Sequence, residues 1–124
     1  MGIAPVRADP VQLQQVLLNL VFNGLDALEQ VPPRSRRLVI SARLLTSTQV
    51  ELVVRDTGPG LPKEVLARVF EPFHTTKANG MGMGLAICRS LVESMEGSIE
   101  ANNQFDGGAA FRIVLPRADA PVRA

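Results

Sequence analysis

Tryptophan and tyrosine are absent from this chain of 124 residues, and phenylalanine occurs only five times. Proteins that bind single-stranded nucleic acid stack its bases on aromatic side chains, so this scarcity argues against that function. The formal net charge is only +1, which provides no strong field for nucleic acid or for a membrane surface. We therefore expect no nucleic acid partner and no direct membrane contact by this domain.

Cysteine is nearly absent as well. Cys88 is the single one, which excludes a disulfide within the chain and a cysteine-based metal site. The sequence also lacks a signal peptide and any apolar run long enough to span a membrane. We expect a cytoplasmic domain cut from a longer parent protein, which can itself be membrane-anchored.

The sequence begins with signals for a long helix. Asp9 is a suitable N-cap, and Pro10 follows it at the first helical position. Leucine and valine side chains then recur at the helical period and form a core face. Two prolines at 32–33 stop the pattern, so we expect a helix over 10–30.

The remaining elements follow from alternating apolar residues and from glycine and proline breakers. We expect strands over 37–45, 49–55, 98–103 and 109–115, a short helix over 63–69, a mobile loop over 71–83 and a helix over 84–95. This order predicts an α/β fold: a two-layer sandwich whose mainly antiparallel mixed sheet is covered by helices on one face. We expect one domain over 1–116 and a disordered tail over 117–124.

Three motifs in this framework carry chemistry. The first lies on the long helix, where Asn19, Asn23 and Asp26 are spaced to line one face. An amide oxygen is a hard, neutral ligand that suits Mg²⁺, which accepts few protein ligands and completes its shell with water and phosphate. Taken alone, the two asparagines are more typical of a solvent-facing stripe, and only their combination with the glycine motifs favours a metal site.

The second motif is Asp56, which ends an apolar strand and precedes Gly58 and Gly60. The carboxylate can cap its own turn. It can also accept the exocyclic amine of adenine and reject guanine, which has a carbonyl at that position. The glycines let the backbone approach a base closely.

The third motif holds Gly80, Gly82 and Gly84 directly before Leu85 and a helix. Its spacing fits neither the dinucleotide fingerprint nor a P-loop. Bare amides at a helix start still form a place for phosphates, although a flexible linker is the alternative. The three motifs together predict a purine-nucleotide site with a metal ligand.

In this combination the chain resembles the catalytic, ATP-binding domain of sensor histidine kinases, which has the Bergerat-type ATPase fold. The resemblance covers about residues 8–116 and rests on four motifs in order: the N box at 15–23, the G1 box at 56–60, the F box at 69–77 and the G2 box at 80–87. The F box is most similar to that of the nitrogen-regulation and dicarboxylate-sensing branch.

This resemblance implies roles for individual residues. Asn23 would bind Mg²⁺, and Asn19 would lie near the phosphates of ATP. Asp56 would recognise adenine by accepting a hydrogen bond from its amine. Phe70 and Phe73 would anchor a lid. The full implied nucleotide-binding set is Asn19, Asn23, Asp26, Asp56, Gly58, Gly60, Thr76, Lys77, Gly80, Gly82, Gly84 and Leu85.

The resemblance also implies a reaction. The domain would position Mg-ATP for γ-phosphoryl transfer to a histidine on a separate dimerisation domain of the same kinase, which then serves a response regulator. The wider fold has a glutamate base where this chain has Asn19, so ATP hydrolysis should be poor. His74 is the only histidine and falls within the lid motif. The alternatives are a nucleotide-binding pseudokinase or scaffold domain, and an anti-sigma-type serine kinase.

Some positions depart from the family pattern. Ala110 stands where the family usually has a threonine that helps the adenine network, which bears on nucleotide affinity. Gly24 replaces a usual alanine, at a cost of about 1 kcal/mol in helix propensity. Only residues 3–8 remain of the usual N-terminal strand, so we expect one exposed sheet edge.

Overall fold

The computed structural model describes residues 9–71, 84–104 and 107–117. Its elements are α1 (Pro10–Leu28), a 3₁₀ turn (Pro33–Ser35), β1 (Leu38–Thr46), β2 (Gln49–Asp56), α2 (Lys63–Leu66), α3 (Gly84–Ser94), β3 (Ser98–Asn103) and β4 (Ala109–Pro116). Within the described residues, no helix combines the length and apolar character needed to cross a membrane.

Helix α1 begins as its sequence predicts. The Asp9 carboxylate accepts hydrogen bonds from the backbone N–H groups of Val11 at 2.9 Å and Gln12 at 3.2 Å. These bonds satisfy two of the donors that a helix start leaves without a partner. At the other end α1 stops at Leu28, two residues before the expected boundary, and continues as tight turns up to Val31.

The four strands form one sheet in the order β1-β2-β4-β3, and all three of its pairings are antiparallel. Hairpins join β1 to β2 and β3 to β4, so the central pair β2–β4 comes from opposite halves of the chain. This arrangement matters for function because it places the end of β2 beside the β3–β4 turn, at Asp56 and Ala109.

Helices α1 and α3 cover one face of the sheet. Val16 and Leu20 of α1 and Val92 of α3 are fully buried against Ile113 and Leu115 of β4. Each such side chain removed from water stabilises the fold by roughly 1.5–3 kcal/mol. The predicted two-layer sandwich with a mainly antiparallel sheet is confirmed.

The opposite face of the sheet carries an ion-pair network. Glu51 of β2, which is only 6% exposed, pairs with Arg43 of β1 and Arg112 of β4, and Arg112 also pairs with Glu100 of β3 at 2.7 Å. Hydrogen bonds from Arg43 and Arg112 lower the pKa of the Glu51 carboxyl. Glu51 is therefore held in its charged form by arginines from both neighbouring strands, on the face opposite α1 and α3.

One further boundary differs from the sequence prediction. Helix α2 spans only Lys63–Leu66, and the residues up to Phe70 form turns. At Arg117, the first residue of the predicted tail, the backbone N–H donates to the Thr48 carbonyl at 2.9 Å; the bounds of the domain and its tail stay a prediction. The remnant of the family's N-terminal strand at 3–8, most of the loop at 71–83 and the rest of the tail lie outside the described residues.

Candidate nucleotide-binding site

Asp56 lies at the end of β2 on the helix-covered face of the sheet and is only 4% exposed. Its Oδ1 atom accepts hydrogen bonds from the backbone N–H of Gly58 at 2.8 Å and of Ala109 at 3.4 Å. Both bonds end on the same oxygen, so Oδ2 keeps its lone pairs for a ligand. The described part of the chain contains no fully buried side-chain nitrogen or oxygen without a partner, so Oδ2 keeps some contact with solvent although Asp56 is buried.

The loop after Asp56 packs closely against the last turns of α1. A Cβ atom added to Gly58 would lie 3.0 Å from both the side chain and the carbonyl oxygen of Ala27. A Cβ atom added to Gly24 would lie 2.6 Å from Leu38 Cδ1 and 3.9 Å from Asp56 Oδ2. Gly24 therefore allows Leu38 to pack against α1 beside the carboxylate, which gives a physical reason for this departure from the usual alanine.

Asn19 connects α1 to α3. Its Nδ2 atom donates to Cys88 Sγ at 3.5 Å, and the Cys88 thiol donates to the Val16 carbonyl at 3.8 Å. Cys88 is fully buried, and this burial raises the pKa of its thiol, so the thiol keeps its proton at neutral pH. Since the thiol proton is directed to Val16, the sulfur accepts from the Asn19 amide, and Asn19 Oδ1 is left for a ligand.

Asn23 and Asp26 follow Asn19 on the same side of α1 and are half-buried. Gly84 and Leu85 form the first turn of α3, one turn before Cys88. The Asn19–Cys88 bond therefore brings the asparagine stripe and the start of α3 into contact. The end of β2 meets the same helix at Gly24 and Ala27, so the end of β2 and the start of α3 both lie against α1.

Phe70 contacts the core through Phe111 of β4. The two ring centroids are 6.2 Å apart and the rings meet edge to face, at 81°. Such a pair stabilises a contact beyond its buried area. Phe70 thus anchors the turns that follow α2 to the sheet. Its role as a lid anchor stays a prediction.

Other predicted site residues lie outside the described ranges. They are Phe73, Thr76, Lys77, Gly80 and Gly82, together with His74. Their assignment to a lid and to phosphate binding stays a prediction.

The interpretation of Ala110 needs correction. Strand register pairs Ala110 with Arg55 and Asn102, on the sheet face that points away from Asp56. A side chain at this position cannot join a network around the Asp56 carboxylate. The residue that contacts Asp56 is Ala109, and it does so through its backbone N–H.

Sequence reasoning missed Asn103 at the end of β3. Its side-chain amide bonds to both backbone groups of Leu61, which directly follows the glycine loop: Oδ1 accepts from the Leu61 N–H and Nδ2 donates to the Leu61 carbonyl, each at 2.8 Å. Nothing in a sequence indicates a pairing between residues 42 positions apart in a hairpin and a loop.

The donor set fits a magnesium ion held mainly by a nucleotide. No group of three histidine, cysteine, aspartate or glutamate side chains among the described residues could hold a metal by itself. Asn19 and Asn23 instead offer neutral amide oxygens on one face of α1. Mg²⁺ is commonly bound by one or two protein oxygens, with phosphate oxygens and water completing its shell.

Comparison with known proteins identifies this arrangement. Residues 8–119 match the family described as histidine kinase-, DNA gyrase B- and HSP90-like ATPase. The catalytic domain of the histidine kinase ThkA, in a nucleotide-free form, is 34% identical and superposes with a TM-score of 0.78 over 90% of this chain and 70% of that one. The chain therefore belongs to this ATPase family, as an ATP-binding catalytic domain of the histidine kinase type.

Longer relatives place the domain within larger proteins. The sensor protein FixL of Bradyrhizobium diazoefficiens is 44% identical over 95% of this chain, which spans 23% of FixL. Full-length ShkA in complex with AMPPNP is 31% identical, with a TM-score of 0.78, over 98% of this chain and 25% of that one. The chain thus spans about a quarter of these relatives. The nitrogen-regulation and dicarboxylate-sensing branch stays a prediction.

Proposed function

We propose that the domain binds Mg-ATP with adenine against Asp56 and with the phosphates between the asparagine stripe of α1 and the start of α3. One observation carries this proposal: the buried Asp56 carboxylate receives both of its hydrogen bonds on Oδ1 and keeps Oδ2 for a ligand. The loop that follows and the last turns of α1 lie directly beside it.

Adenine suits this carboxylate because its exocyclic amine donates a hydrogen bond to Oδ2. Guanine presents a carbonyl oxygen at the same position, and two acceptors facing each other would leave both unsatisfied at a buried site. The preference for ATP over GTP would therefore follow from Asp56 Oδ2, which can only accept a hydrogen bond. The two backbone bonds to Oδ1 fix the orientation of the carboxylate and so keep Oδ2 in place.

The phosphate end would lie one or two turns earlier on α1. Asn23 would supply an oxygen to Mg²⁺, and Asn19 Oδ1 would face the phosphates, with its orientation set by Cys88. The bound Mg²⁺ would neutralise charge on the β- and γ-phosphates. Asn19 cannot take a proton from water as a carboxylate would, so the γ-phosphate is protected from hydrolysis.

The remaining contacts come from the glycine-rich segment and the lid. Backbone N–H groups at the start of α3, from Gly84 and Leu85, are suited to anionic oxygens. We expect Gly80, Gly82, Thr76 and Lys77 to complete the phosphate site from the lid.

The reaction we propose is transfer of the γ-phosphoryl group from ATP to a histidine nitrogen on the dimerisation domain of the same kinase, with ADP as the leaving group. A response regulator would take the phosphoryl group from that histidine in turn. Such chemistry needs positioning and charge stabilisation more than covalent catalysis, which suits a site built from amides and a metal ion. We place the domain in the cytoplasm, where ATP and response regulators are found.

Self-labelling tests this proposal. We expect the domain to bind Mg-ATP in calorimetry, yet to take up no acid-labile phosphate from γ-labelled ATP, because its only histidine is His74. Label should appear on the phosphoacceptor domain of the same kinase when that domain is added. Stable labelling of His74 would contradict the assignment, and binding without any transfer would favour the pseudokinase alternative.

A further inference from the structure

We infer that Asn103 is a positioning residue for the adenine side of the site, because its side-chain amide clamps the glycine loop that follows Asp56. The inference rests on the proposed function. It extends the site to the β3–β4 hairpin, which none of the four nucleotide motifs includes.

The clamp has the geometry of a strand pair. Asn103 Oδ1 accepts from the Leu61 N–H and Nδ2 donates to the Leu61 carbonyl, each at 2.8 Å. A carboxamide carries both a donor and an acceptor on one planar group. It can therefore bind the N–H and the carbonyl of one residue, as the backbone of a neighbouring strand would. Aspartate has the same shape but offers a second acceptor where the Leu61 carbonyl needs a donor.

The loop is packed tightly against the clamp. Gly60 has a positive φ of +79°, and a Cβ atom there would lie 2.9 Å from Asn103 Oδ1 and 3.4 Å from the Gly108 carbonyl. Glycine is thus required at position 60 for two reasons: the backbone conformation, and the close approach of the Asn103 amide.

The loop between Asp56 and Leu61 is held at both ends by the same hairpin. At one end the Ala109 N–H donates to Asp56 Oδ1, and at the other end Asn103 holds Leu61. Thr57 is tied separately to Arg37, through a backbone bond of 3.1 Å. Loss of the Asn103 amide therefore releases the Gly60–Leu61 end and leaves the Thr57 end fixed.

The effect should be local. Asn103 is exposed, so its truncation opens no cavity in the core. The released residues belong to the loop that follows Asp56, beside which we have proposed adenine, whereas the proposed metal and phosphate ligands lie on α1 and at the start of α3. We therefore expect substitution of Asn103 to weaken binding of the base without changing how strongly Mg²⁺ enhances the binding of ATP.

A matched pair of substitutions tests this. Asn102 precedes Asn103, but its side chain lies on the opposite face of the sheet, across from Ala110. For Asn103→Ala we expect roughly 3- to 30-fold weaker ADP binding by calorimetry, the equivalent of one or two net hydrogen bonds. Asn103→Asp should weaken binding at least as much, and Asn102→Ala should bind as the wild type does.

Two further readouts separate positioning from general destabilisation. The ratio of ATP affinities with and without Mg²⁺, measured well below the unfolding temperature, should be unchanged in both Asn103 variants. Hydrogen exchange at the Leu61 amide should become faster in the folded protein. Wild-type ADP affinity in Asn103→Ala, or an altered Mg²⁺ ratio, would overturn the inference while leaving the proposed function intact. Absence of nucleotide binding by the wild type would overturn both.

Discussion

Asp56→Asn should weaken ADP binding by about 1–3 kcal/mol, or roughly 5- to 150-fold, which corresponds to the loss of a hydrogen bond to a charged group. The substitution preserves shape, and the amide oxygen can still accept from Gly58 and Ala109. An N–H group then takes the place of Oδ2 and faces the amine of adenine, donor against donor. The same N–H group can donate to the carbonyl of guanine, so the preference for adenine over guanine should fall.

Glu51→Gln is the matched control for this change. Glu51 lies on the same strand and is similarly buried, at 6% exposure against 4% for Asp56, but it is on the opposite face, paired with Arg43 and Arg112. Its neutralisation should lower the free energy of unfolding without changing ADP affinity in the folded protein. Equal ADP affinity in Asp56→Asn and the wild type would refute the role of Asp56.

Gly108→Ala should destabilise the fold by roughly 2–5 kcal/mol, from the sum of backbone strain and steric overlap. Gly108 has φ of +86°, and a Cβ atom there would lie 1.9 Å from the Asp56 carbonyl oxygen. That atom belongs to the backbone of β2, so relief requires the β3–β4 turn to move away from Asp56. The Ala109 N–H, the next donor along the chain, would move with it.

The neighbouring glycine provides the comparison. Gly107 also has a positive φ, of +106°, but a Cβ atom there would meet nothing within 4 Å. Gly107→Ala therefore tests the backbone strain alone. It should lower the free energy of unfolding, measured with urea, by about 1–2 kcal/mol. Equal losses of unfolding free energy in the two variants would show that the overlap with Asp56 is unimportant.

Elements governed by local rules could be predicted from the sequence. The cap at Asp9, the apolar period of α1 and the alternation in β2 and β4 depend on residues a few positions apart, and their elements match the expected ones closely. The position of Asp56 at the end of β2 was also predictable, because the alternation stops there and glycines follow, whereas its role in base binding stays a prediction. The sandwich follows once helix and strand order is known.

Contacts between distant segments could not be predicted in this way. The Asn103–Leu61 clamp and the Asn19–Cys88 bond depend on which strands and helices become neighbours. The face that Ala110 occupies depends on strand register, where a shift of one residue exchanges inside and outside. The packing of Leu38 beside Gly24 likewise appears only when α1 lies on the sheet.

Chemical-shift mapping of the backbone amides during titration with Mg-ADP tests the central claim most directly. We expect the largest changes at Gly58 and Gly60 in the loop after β2, and at Gly84 at the start of α3. The amides of Glu51 and Arg112, on the ion-paired face of the sheet, should change little. Largest changes on that outer face, or no saturable change at the end of β2, would contradict the nucleotide site described here.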